Sequence, residues 1–145
     1  MALNRNDTIS IALSALHEIF HAHEEFLRVL ATYGERATRT GDFALRDYDQ
    51  SIDVTCLGVP LRCQYRPVCA QNRNWSYEYE FVSSFRNAEL VVFRLYLSPF
   101  ETLHSDQVDG PILCKTNVEN LPAKITDAIA AALLCSDVFR VKTPD

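Results

Sequence analysis

Residues 75–97 read WSYEYEFVSSFRNAELVVFRLYL, and this stretch decides the fold. Trp75, Tyr77, Tyr79 and Phe81 alternate with Ser76, Glu78 and Glu80. Successive side chains of a strand point to opposite faces, so the first half predicts a strand with one aromatic and one polar face. Ser84-Phe85-Arg86-Asn87 predicts a turn. In the second half Val91, Phe93, Leu95 and Leu97 share one face, while Leu90, Val92 and Tyr96 share the other around Arg94. A strand apolar on both sides needs cover on both. Leu90, Val92 and Tyr96 are therefore the predicted partner surface, and a Val92→Glu or Tyr96→Glu substitution is expected to break association while sparing the fold.

Working outward, residues 52–56 and 61–66 alternate in the same way about Gly58-Val59-Pro60, predicting a second hairpin that Pro67 helps to end. Residues 36–49 are polar and read as loop, with at most a short element at Phe43 to Tyr48. On the amino-terminal side, Asp7 to Gly34 is the clearest helix. At 100° per residue Ile9, Leu13, Leu16, Ile19, Phe20, Phe26, Leu27 and Leu30 form one broad apolar stripe. On the carboxy-terminal side, Ser98-Pro99-Phe100-Glu101 carries the cap, proline and acidic residue of a short helix start. Asp109-Gly110-Pro111 reads as a turn, residues 111–116 as a fifth, edge strand, and residues 121–138 as a final helix. The expected fold is a single α+β domain over residues 1–145. It has an antiparallel sheet of four to five strands, with a long N-terminal helix and a C-terminal helix packed on it. Secretion chaperones and cystatin-like proteins share parts of this element order, but no motif of either is present, so the analogy stops at the fold.

Composition narrows the function. With 48% apolar and 23% charged residues, the 145-residue chain is expected to be an ordinary globular protein. Its net charge of −5 argues against nucleic-acid binding. The arginines between Arg36 and Arg73 are offset by Asp42, Asp47, Asp49 and Asp53. The five cysteines show no Cys-x-x-Cys spacing, which indicates neither a disulfide framework nor a zinc ribbon. No signal peptide or membrane-length apolar run is seen, so a cytoplasmic location is expected.

The sharpest chemical motif is His17-Glu18-Ile19-Phe20-His21, which has the form of a zinc-peptidase helix. Its context is poor: on the wheel His17 and His21 lie roughly 120° and 160° from the stripe centre. No third ligand follows in sequence. His23 instead lies near the stripe centre and reads as a core histidine hydrogen-bonded to the sheet, against a titrating group at an interface. Glu78 and Glu80 read as cross-strand partners of arginines such as Arg94 or Arg62 before an acid/base couple. Cys63 or Cys114 with His104 makes only a nominal thiol pair. The expected function is thus a non-catalytic cytoplasmic protein-interaction module, a homodimer without cofactor. The alternatives are a zinc hydrolase using His17, Glu18 and His21, or a small-ligand binder whose pocket is formed by Trp75, Tyr77 and Tyr79.

Overall fold

The structure is a computed structural model that describes residues 5–46, 51–70, 74–85, 87–108 and 110–139. Helix α1 spans Arg5–Tyr33. Eight strands follow: β1 Glu35–Ala37, β2 Gly41–Arg46, β3 Ser51–Cys56, β4 Val59–Cys69, β5 Trp75–Phe85, β6 Ala88–Leu97, β7 Thr102–Ser105 and β8 Ile112–Lys115. Helix α2, Leu121–Leu134, closes the order. The strands form one antiparallel sheet in which every strand pairs with its neighbour in sequence, from β1 through β8. The fold is α+β as expected, but the sheet has eight strands and forms a half-barrel, where four to five were predicted.

Two physical reasons account for the extra strands, and a third for a longer β4. The segment read as loop holds β1 and β2, joined by a tight turn in which Thr38 Oγ1 donates to the Gly41 carbonyl at 2.9 Å. Among the described residues of this segment only Phe43 is deeply buried among core residues, opposite Val54, so its alternation is too short to stand out. At residues 98–101 the expected cap forms without its helix. Ser98 Oγ accepts from the backbone N–H groups of Phe100 and Thr102, 3.2 and 3.3 Å away. Glu101 then turns through φ 59°, and the chain returns as β7. The cap chemistry here closes a hairpin. Finally, β4 runs through Pro67 to Cys69. Beyond Arg62 it pairs only with β5, so the missing N–H of Pro67 costs no ladder bond on the β3 side.

One hydrophobic core lies on a single face of the sheet. Tyr79, Phe81, Phe93, Leu95 and Leu97 of the central hairpin meet Ile19, Phe26 and Leu30 of α1, and Leu121, Ile125, Ile129 and Leu133 of α2. The latter four recur every fourth residue, the spacing that keeps one helical side inward. Helix α1 lies across β5, with contacts to β2, β4 and β6. Helix α2 touches β6 and also β2 and β3, which the curl of the sheet brings round it.

The opposite face of the hairpin is covered by its own polar side chains. Arg66, Glu78, Tyr96 and His104 lie side by side across β4 to β7. Tyr96 Oη donates to Glu78 Oε2 at 2.8 Å, and Arg94 Nε donates to Glu80 Oε2 at 2.9 Å. Glu78 also accepts from Arg66 at 3.3 Å, while Arg62 pairs with Glu89 at 2.5 Å. The tall strand pair thus closes most of its second face without a second layer.

A cleft beside His23 and the placing of the candidate residues

Between α1 and the exposed edge of β4 lies an open cleft of about 510 Å³. The apolar period of α1 turns His23 toward the sheet, where it is 6% exposed. Its imidazole lies on the ring of Tyr77, with centroids 3.8 Å apart and planes 7° from parallel. Tyr65 closes on the same imidazole from β4 at 4.9 Å, and Phe20 leans on Tyr77 from the previous helical turns at 6.1 Å. These four rings form one end of the cleft. Leu27, Ala31 and Leu45 form its apolar flank, with Glu24 and Arg28 at the rim.

Beneath these rings, His23 Nδ1 is 2.6 Å from Tyr79 Oη. Tyr79 is wholly buried, and among the described residues its hydroxyl has no other partner. A buried O–H must donate somewhere, so Tyr79 donates and His23 Nδ1 accepts. Burial lowers the His23 pKa to about 4, so the ring is neutral near pH 7. A neutral imidazole that accepts at Nδ1 carries its proton on Nε2. Nε2 has no partner among the described residues, yet no buried polar atom is left unpaired. It therefore opens onto the cleft that the ring lines, as does Tyr77 Oη. Burial, and then the neighbouring Tyr65, raise the Tyr77 pKa, so this phenol also stays neutral.

Of the proposed pocket residues, Tyr77 lines the cleft and Tyr79 lies directly behind it. Trp75 is half-buried at the start of β5 and does not line the cleft. His17 and His21 are exposed on the outer side of α1, as the wheel predicts, and Glu18 is exposed with them. No group of three metal-ligating side chains occurs among the described residues. Cys114 lies opposite Leu103 on the core side of β8, whereas His104 lies opposite Tyr96 on the other face, so the two are not brought together. Burial pushes the Cys63 thiol far above its ordinary pKa, which keeps it protonated.

Leu90, Val92 and Tyr96 do not form one open face. The ladder runs Phe81 to Phe93 and then Val82 to Val91, leaving Val92 as the extra residue of a β-bulge. Leu90 is consequently opposite Ser83, on the side of Phe81, while Tyr96 stays opposite Glu78. Leu90 and Val92 are half-buried, and Tyr96 is 7% exposed.

Sequence reasoning missed an open apolar surface at the start of α1. Residues 5–14 are exposed all round, with Ile9 at 50%, Ile11 at 57% and Leu13 at 52%. The signal was a stripe longer than the sheet beneath it. Among the described residues no helix is long and apolar enough to cross a membrane. No protein-family model, curated protein or solved structure matches the chain, so the assignment of the site rests on its geometry.

Proposed function

We propose that the protein is an interaction module that pairs with a second copy of itself through the amino-terminal half of α1. One observation carries the reading: the buried stripe of α1 continues, uncovered, past the edge of its own sheet. Ile9, Leu13, Leu16 and Phe20 follow one another at intervals of four, three and four residues. The same period runs on through His23, Leu27 and Leu30 into the core. That is the spacing by which two helices interdigitate along a seam. Arg5, Asp7, His17 and Glu18 are the only titratable side chains of either sign over residues 5–20, so two copies meet with little like-charge repulsion.

Such a seam covers about three turns, and buries less than the ~800 Å² per partner of a standard interface. The dimer is therefore expected to dissociate on dilution. Glu78 and Glu80 are engaged in cross-strand pairs, and Cys63 is held within the core. All five cysteines are free thiols, three of them buried, which favours a reducing cytoplasm as the setting. Sedimentation equilibrium tests the pairing. A concentration-dependent dimer is expected for the wild type and a monomer of unchanged circular dichroism for Leu13→Glu. A wild type that stays monomeric at millimolar concentration, or a Leu13→Glu dimer, overturns the proposal.

A further inference from the structure

We infer that the cleft between α1 and β4–β5 is a binding site for a small uncharged molecule with an aromatic body and a carbonyl-type acceptor. In this complex the acceptor takes the Nε2–H of His23, while the body packs on Tyr65 and Leu27. The inference does not depend on self-association. Its first support is the donor, held in one tautomer by Tyr79 and in one plane by the stacked Tyr77 ring, both fixed before any ligand arrives. An open nitrogen among the aromatic rings, with the Tyr77 hydroxyl beside it and the charged Glu24 and Arg28 also on the lining, is the placed polar group that small-molecule sites use.

The second support is charge. His23 and Tyr77 are neutral, and the one guanidinium at the rim, Arg28, is already bound by Glu25 through both Nε and Nη2. Glu24 stands beside it on the same rim. An anion entering the cleft meets a carboxylate and no open cation. A cation reaches ring faces, yet its charge centre is opposed by the Nε2–H dipole. Beside the Nε2–H neither charge meets an opposite one, since the Glu24 carboxylate that could hold a cation is on the exposed side of the helix, and this leaves the uncharged acceptor as the class that fits there.

Benzamide is the simplest probe of this class, with benzoate and benzyltrimethylammonium as its anionic and cationic counterparts. Titration of the full chain with each is followed by the His23 Nε2–H signal in proton–nitrogen NMR. Benzamide is expected to shift that signal and to saturate with a Kd of about 1 mM, the range for so small a ligand. Both charged probes are expected to bind at least tenfold more weakly. Ala31→Trp changes an exposed helical position on the cleft flank, so it is expected to fold normally and to abolish the shift. The inference is overturned by a benzamide titration that leaves Nε2–H unmoved, by either charged probe binding as tightly as benzamide, or by undiminished binding in Ala31→Trp.

Discussion

Tyr96 donates its phenol proton to Glu78 directly across the β5–β6 ladder, and the two side chains bury one another on the face of the sheet that no helix covers. Burial, followed by the hydrogen bond to Glu78, pushes the Tyr96 pKa up to about 12, so the donor persists through any ordinary buffer. Tyr96→Phe leaves a carboxylate oxygen short of a partner at a position that is 8% exposed. A loss of about 1–3 kcal/mol is expected, read as a lower urea midpoint with unchanged slope. Tyr96→Glu places a second carboxylate against Glu78 and is expected to cost more than Tyr96→Phe. This substitution therefore damages the fold and cannot serve as a clean test of association.

His23 makes stability depend on pH. The group is near 6.5 in an unfolded chain and about 4 in the folded one. Between these values the unfolded chain binds a proton that the folded chain refuses, so stability rises with pH across the window. The contribution is complete above about pH 6.5 and is lost progressively down to about pH 4. The slope from this one group is expected to stay below ~1.4 kcal/mol per pH unit, because it exchanges at most one proton. Urea titrations at half-unit steps measure it. His23→Gln, which still accepts from Tyr79 but does not titrate, is expected to flatten that segment of the curve; an unchanged slope would assign the effect to other groups.

Two glycines separate close approach from backbone torsion. A Cβ on Gly41 would stand 1.9 Å from the Thr55 carbonyl oxygen and 2.8 Å from Cys56 Cα, both backbone atoms that cannot step aside. Gly34 has φ +62° and open space around it. Gly34→Ala should cost about 1–2 kcal/mol, the left-handed penalty alone. Gly41→Ala must part β2 from β3 and is expected to exceed 3 kcal/mol or to prevent folding. Thermal unfolding of the two variants side by side gives the comparison.

What was legible in the sequence follows from the range of the physics involved. The aromatic row of β5, the outward histidines of α1 and the inward His23 are set by local periodicity, and each lies where its period puts it. The bulge at Val92 is a different matter. Val91-Val92-Phe93 reads as unbroken alternation, and only the pairing with Phe81 and Val82 reveals the extra residue. The weak strands β1, β2 and β7 form because neighbouring strands offer partners, which no single segment records. The same holds for the cleft: Tyr65, Tyr77 and His23 sit on three elements, and their meeting depends on how α1 lies across the sheet. The expected turn at Asp109-Gly110-Pro111 includes Asp109, which lies outside the described residues.

The neighbour-to-neighbour order of the strands has a consequence for how the chain is made. A ribosome delivers α1 first, with Phe26 and Leu30 ready for a core that does not yet exist. The central strands that cover them are delivered only when β6 ends at Leu97, and α2 comes later still. At ~5–20 residues per second, that leaves the helix waiting roughly 3–13 s. Each hairpin can add to the last as it emerges, since none needs a distant strand. The helix must still wait for the fifth and sixth strands. Translation halted before β6 would therefore release a sticky, incomplete sheet, and a stop codon there is expected to yield aggregate in place of a smaller folded unit.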